Sequence, residues 1–447
     1  MPHITPKRVA SARRAVNPVV AERSAFDYNG FGYIQSHVPP MKLLFISEVF
    51  PYPPTSGRRI PLYHTLRLLG REHEITLLCF RQPGEQIGPE KVQHLAQYCR
   101  IAGVFPMVGI TAGTALRNVV ESSPLSFRRY PLNPLAQAVR ETLATTPVEL
   151  VHFFGVNMAQ FWHLAPHLPR VLAPNDCPHL LLDRIARDRH TPLYRRLHSI
   201  LQARKMRRYE ACMFPRFPRI YVVTPEDRES LLHVNSTLNV EIIPLGVRKF
   251  PAFTARPPGN SGQLILLFTG AMGSKVSEVA SIFLCEQVLP RVRSQVPDVQ
   301  LYLVGNDPPP RVKELAGRYQ GVTVTGYVED LAPYFAMADV YVCPLLAASG
   351  IQNRVLEAMA AGRAIVCTST VAERLEVSPG EHLLVADEPQ RFAEHVVRLL
   401  RNPDLREAMG KAARAVTREK YTWESVARRL VAVYEEAVVA TTTAAQD

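Results

Sequence analysis

Short apolar runs alternate with amphipathic stretches from Met41 onward, and this alternation organises most of the chain. In the first half, strand-like runs fall at 42–47, 74–80, 101–105, 149–154, 170–173, 219–223 and 240–243. Helical periodicity separates most of them, beginning with 60–69 behind the loop "VFPYPPTSGRR". Pro, Gly and Ser interrupt the pattern across 244–263. A second series follows, with strands expected at 264–269, 299–304, 322–325, 340–343, 364–367 and 382–385, and helices near 277–292, 311–318 and 331–337. Strands that alternate with helices form parallel sheets covered by those helices. The expected fold class is α/β, with two Rossmann-like parallel-sheet domains facing each other across a cleft. The expected organisation is a flexible N-terminal extension at 1–40, a first domain at 41–245, a linker at 246–263, a second domain at 264–425 and a C-terminal helix and tail at 426–447. Ligands of open parallel sheets sit at the carboxyl ends of strands, so candidate chemistry belongs on the loops that follow them.

Composition narrows the partners. At 447 residues and 47% hydrophobic content, the chain can fill sizeable cores. Charges or prolines interrupt every apolar run before the roughly 18 residues that a membrane span needs. Residues 1–40 are rich in Pro, Arg, Ser and Ala and lack the apolar centre of a signal peptide. The 7 cysteines are scattered without a C-x-x-C pair, which argues against a zinc site or a disulfide framework and fits a reducing cytoplasm. The net charge of +12 favours an anionic partner. No nucleic-acid-binding signature accompanies it, which leaves a phosphorylated small molecule or an acidic membrane surface. "YRRLHSILQARKMRRYE" (194–210) sets arginines around Leu197, Ile200, Leu201 and Met206. That pattern suits peripheral contact with an anionic inner membrane, and it equally suits a solvated helix packed on its own domain.

The most informative stretch is "SGIQNRVLEAMAAG" (349–362). Ser349, Gly350, Ile351, Gln352 and Asn353 approach a short helix, with Asn353 the expected N-cap and Gly362 the residue that ends it. Open N–H groups at a helix start attract phosphate through hydrogen bonding and dipole. Glu357, one turn in, is placed to accept hydrogen bonds from a pair of ribose hydroxyls. It also suits the macrodipole of a first turn, and these residues alone leave both readings open.

This segment resembles "E-G-F-G-x-P-x-L-E-A-M-A-x-G-x-P-V-V" of the GT-B glycosyltransferases of family 4 (group 1), which transfer a sugar from a nucleotide diphosphate donor with retention. "VTVTGYVEDLAPYFAMADVYVCPL", "IPLGVRKF" and the chain from "SPGEHLLVADEPQRF" to "VYEEA" are similar to further parts of that family. The resemblance covers 41 to about 437, most densely in the second domain. The form "G-I-Q-N-R-V-L-E-A-M-A" is similar to sugar transferases of bacterial exopolysaccharide and PEP-CTERM exosortase systems.

The resemblance implies a retaining hexosyltransferase with a nucleotide-sugar donor, a glycan or polyprenyl-linked acceptor, no nucleic acid partner and no metal cofactor. The absence of any D-x-D motif agrees with the last point. It implies that the base lies against the backbone around Tyr327 and Val328, the ribose on Glu357, and the diphosphate on 349–353 and on Lys275 as a catalytic residue, with Gly270 a further donor-binding residue. The acceptor would meet Ser56, Gly57 and His152, with Asp176 as the group that takes a proton or hydrogen bond from its hydroxyl. Several positions depart from the family pattern. Ser349 stands where relatives carry Glu, Ala271 replaces an Arg, Lys275 falls one residue before the usual Lys, Ser56 and Gly57 replace a double glycine, and Asn175 and Asp176 replace a "T-x-H-D" pattern. On their own residues, Lys275 also reads as a solvated lysine, Asp176 as a helix cap and His152 as structural. Two other functions share the architecture: a nucleotide-sugar epimerase and a non-catalytic nucleotide-sugar-binding protein.

Overall fold

The computed structural model describes residues 39–175, 177–187, 191–251, 262–346 and 350–444. The first sheet has parallel strands in the order β3-β2-β1-β4-β5-β6-β7. These are β1 (Lys42–Ser47), β2 (Glu74–Arg81), β3 (Arg100–Pro106), β4 (Leu150–Phe154), β5 (Arg170–Asn175), β6 (Arg219–Val222) and β7 (Val240–Ile242). The second sheet runs β10-β9-β8-β11-β12-β13, from β8 (Ile265–Thr269), β9 (Gln300–Val304), β10 (Val322–Val324), β11 (Val340–Cys343), β12 (Ala364–Cys367) and β13 (Leu384–Val385). Strand order reverses beside β1 in the first sheet and beside β8 in the second. At such a switch the connecting loops part to opposite faces and leave a crevice at the carboxyl ends.

The apolar runs form central strands because both faces are covered: Leu43, Leu44, Phe45 and Ile46 of β1 are buried, as are Leu266, Leu267 and Phe268 of β8. The single helix expected at 277–292 is instead Lys275–Phe283, a π-helical turn at Leu284–Val288, and Leu289–Arg293. Pro290 has no N–H to give and its ring crowds the preceding turn, which widens the ladder there.

The C-terminal helix begins earlier than expected, at Trp423, and returns to the first domain. Tyr434 Oη lies 2.5 Å from His152 Nδ1, Arg219 Nε donates to Glu436 at 2.7 Å, and Trp423 stacks on His64 at 4.2 Å. A Cβ on Gly246 would lie 2.3 Å from the Trp423 ring, so the chain crosses between domains where only glycine fits. Arg374 of the second domain donates to Glu226 of the first at 2.9 Å. Of the expected extension at 1–40, only Pro39 and Pro40 are described; within the expected linker, 252–261 lie outside the described residues. Among the described residues no helix is long and apolar enough to cross a membrane.

Candidate functional site

The second domain gathers its site where β8, β9 and β11 end. Gly270 (φ 151°) follows β8 and Gly305 (φ 156°) follows β9. A Cβ on Gly305 would lie 1.6 Å from the Gly270 carbonyl oxygen, so the two backbones touch at the strand ends. Next comes the helix Lys275–Phe283, whose start is capped by the Ser274 side chain. The helix Asn353–Ala360 enters from the third loop and buries Val355, Leu356, Ala358 and Met359. Gly350 takes φ 63°, with nothing among the described residues within 4 Å of where a side chain would stand. Gly362 takes φ 69° just past the helix end, as expected of a terminating glycine.

Asn353 does not cap this helix. Gln352 is the N-cap residue, its carbonyl accepts from Val355 N at 2.9 Å, and no side chain caps the end. The first turn therefore meets the strand ends with backbone N–H groups rather than a side-chain amide. Ile351 is buried in the domain core, so only its backbone is available to a ligand. Ser349 lies outside the described residues.

Arg354 and Glu357 are both half-buried on one face of this helix, three residues apart. Among the described residues the Glu357 carboxylate has no hydrogen-bond partner. Burial pushes its pKa up, opposed by the guanidinium groups of Arg248 and Arg354. Arg248 comes from the interdomain crossover, pairs with Asp330 at 3.1 Å and lies 4.2 Å over the Phe250 ring. Tyr327 is 77% exposed beside Gly326 (φ 78°), while Val328 packs against the core. Lys275 is an exposed surface residue paired with Glu278 at 3.0 Å. Gly270 and Gly350 thus lie on the loops after β8 and β11, Gln352, Asn353, Arg354 and Glu357 at or within the helix that follows the second loop, and Lys275 at the start of the helix that follows the first.

In the first domain, Ser56 and Gly57 are exposed in the turn that starts the helix Arg59–Leu69. A Cβ on Gly57 would meet nothing within 4 Å, so the fold itself does not require a glycine there. His152 was expected to line the cleft on the acceptor side, and the structure places it elsewhere. It is wholly buried in β4 between Tyr434 and Tyr221, and burial pushes its pKa down to about 3. Its position in the middle of a central strand makes it the anchor of the returning C-terminal helix. Asp176 lies outside the described residues.

Sequence reasoning missed the polar group that does sit at the carboxyl end of β1. Glu48 is wholly buried, pairs with Arg58 at 2.9 Å and accepts from Asn157 Nδ2 at 2.6 Å. Gly155 (φ 102°) makes room for it, since a Cβ there would meet the Glu48 carboxyl group at 2.2 Å. Asn157 Oδ1 is buried without a partner among the described residues. The signal was available: a carboxylate directly after an apolar strand, followed by a double arginine. Cys177, His179 and Glu210 bring one donor atom each within 4.8 Å, a cluster that the scattered cysteine spacing did not suggest. His179 Nδ1 lies 2.5 Å from Glu210 Oε2 and 3.2 Å from Cys177 Sγ, and Nε2 meets Ser230 at 3.0 Å. These contacts form a hydrogen-bonded network.

Comparison with known proteins bears on the second domain most directly. Residues 263–402 match the family described as glycosyl transferases group 1. The chain is 35% identical over 156 residues to a phosphatidyl-myo-inositol mannosyltransferase of Mycobacterium tuberculosis, a match covering 33% of this chain and 41% of that protein. It thus spans about two fifths of that relative's length. Among solved structures, sucrose-phosphate synthase from Thermosynechococcus elongatus superposes with a TM-score of 0.57 at 17% identity, covering 90% of this chain and 100% of that one. HepE of Anabaena in complex with UDP-glucose superposes with a TM-score of 0.55 at 14% identity, covering 88% and 99%. The fold is GT-B.

Proposed function

We propose that the protein is a retaining glycosyltransferase that moves a hexosyl group from a nucleotide diphosphate sugar to a glycan or lipid-linked acceptor, in bacterial exopolysaccharide or cell-surface polysaccharide synthesis. The observation that carries this reading is Glu357: a half-buried carboxylate without a hydrogen-bond partner among the described residues, one turn inside an uncapped helix at the ends of a parallel sheet. Ribose hydroxyls satisfy such a carboxylate, and the helix start takes the phosphates. The similarity of 263–402 to group 1 glycosyl transferases supports the glycosyltransferase reading.

In this reading the base lies against Tyr327 and Val328, and the acceptor enters from the first domain beside Ser56, Gly57 and the Glu48–Arg58 pair. Domain closure excludes water that would hydrolyse the donor. The acceptor hydroxyl attacks from the face the diphosphate leaves, and the departing phosphate oxygen takes up its proton. Helix amides and guanidinium groups neutralise the leaving group, so no metal bridge enters the scheme.

Membrane contact belongs to the same proposal. The helix Leu193–Met213 exposes Leu193, Tyr194, Leu197 and Ile200, and through Gln202 and Lys205 it touches Asn118, next to exposed Leu116, Val119 and Val120. Arg195, Arg204 and Arg208 are exposed on that helix. Apolar groups ringed by arginine suit an anionic bilayer that carries a lipid-linked acceptor, and the protein would then work on the cytoplasmic side of the inner membrane. The test is a screen of nucleotide sugars for acceptor-dependent release of nucleoside diphosphate, with the anomeric configuration of the product read by NMR. Release with retention is expected. Epimerised donor without any acceptor would favour an isomerase, and binding without turnover on any acceptor would favour a non-catalytic role.

A further inference from the structure

Arg354 occupies a position that packing alone does not explain. It is the second residue of the helix Asn353–Ala360, and its side chain turns back over the end of β8. Its guanidinium lies 5.5 Å from the centre of the Phe268 ring, and Nη1 donates to Ser277 Oγ at 3.1 Å. A Cβ on Gly270 would stand 2.4 Å from Nη1 and 2.5 Å from Cζ, so Gly270 leaves the space that this group fills. Among the described residues no carboxylate lies within ion-pair distance of it. A half-buried guanidinium has five N–H donors in a planar fork, and one neutral hydroxyl satisfies few of them.

We propose that Arg354 is the diphosphate clamp of the donor site, supplied by the helix that also carries Glu357 rather than by the loop after β8, where Ala271 offers no charge. This rests on the nucleotide-sugar reading above. Residues 354 and 357 are about 4.5 Å apart along a helix axis. A nucleotide whose ribose rests on Glu357 therefore carries its phosphates past the helix start to the guanidinium, which takes two oxygens at once. The same cation lowers the cost of the negative charge that grows on the leaving diphosphate. Arg354 is thus the element that separates a nucleoside diphosphate from a monophosphate.

The test is calorimetric titration of the full-length protein with UDP, GDP, ADP and dTDP, then with the monophosphate of the preferred base. Loss of a charge-assisted contact predicts that Arg354→Gln weakens diphosphate binding about 10- to 100-fold and monophosphate binding by less than about 3-fold. Arg354→Lys keeps the charge without the fork and should fall between Gln and wild type. Gly270→Ala pushes the guanidinium aside and should reproduce the Gln pattern, which decides the matter if the Gln variant does not fold. Equal loss for both nucleotides, or unchanged diphosphate binding, overturns the assignment of Arg354 alone. Failure of the wild type to bind any of the four diphosphates overturns the function proposed above and this assignment with it.

Discussion

Glu357 makes opposite demands on stability and on binding, and replacing it should separate them. With no nucleotide present, its carboxylate is half-buried without a hydrogen-bond partner among the described residues, and burial raises its pKa. The folded protein then holds this proton more tightly than the unfolded chain does. Stability falls as pH rises from the ordinary carboxylate range through the folded pKa, and the cost persists above it. Glu357→Gln removes the charge at nearly constant volume, so the nucleotide-free protein should be more stable than wild type at pH 7.5, with the gain shrinking towards pH 4. Donor binding should move the other way. A carboxylate bound to ribose hydroxyls contributes about 1.5–3 kcal/mol, so Glu357→Ala should weaken the preferred nucleoside diphosphate about 10- to 100-fold. The decisive assay is a cycle in which wild type and Glu357→Ala are each titrated with that nucleotide and with its 2′,3′-dideoxy form. Glu357→Ala should weaken the dideoxy form by less than about 3-fold, because both hydroxyl partners are already missing. Equal weakening of both forms would refute the contact, and a less stable Glu357→Gln would refute the electrostatic argument.

Three further outcomes follow from the packing. Burial keeps His152 neutral down to about 3, so below pH 6.5 the unfolded chain takes up a proton that the folded one refuses. By linkage this costs on the order of 2 kcal/mol at pH 5, and His152→Gln should show a smaller drop in denaturant midpoint between pH 7.5 and 5 than wild type. Gly305→Ala places a Cβ 1.6 Å from the Gly270 carbonyl oxygen and should cost about 3 kcal/mol or more, read as a lower midpoint or as insoluble protein. Val120→Glu with Leu197→Glu should leave thermal stability within about 0.5 kcal/mol and reduce sedimentation with phosphatidylglycerol vesicles several-fold. Undiminished binding to the vesicles would show that this patch does not meet the membrane.

The strands were legible because parallel sheets bury both faces: runs such as "KLLFIS" and "LILLFT" admit little else, and the observed bounds lie close to the expected ones. Gly362 was legible because a helix end needs a left-handed residue. What the sequence hid depended on contacts far apart in the chain. His152 sits in a strand that faces either a cleft or a covering helix, and only the return of Tyr434, far along the chain, decides between them. Asn353 has the right chemistry for an N-cap, but the helix starts one residue earlier, and caps turn on single dihedral angles. Arg354 reads in sequence as one more helical arginine. Its meaning comes from Gly270, brought beside it by sheet order alone.

A nucleoside diphosphate is expected to lodge between the Gly270 turn and the start of the helix Asn353–Ala360. A crystal structure of the protein with its preferred nucleoside diphosphate would decide this. The ribose is expected on Glu357 and both phosphates between the Arg354 guanidinium and the N–H groups of the helix start. Density for the nucleotide at any other place, with the Glu357 carboxylate still bare, would contradict it.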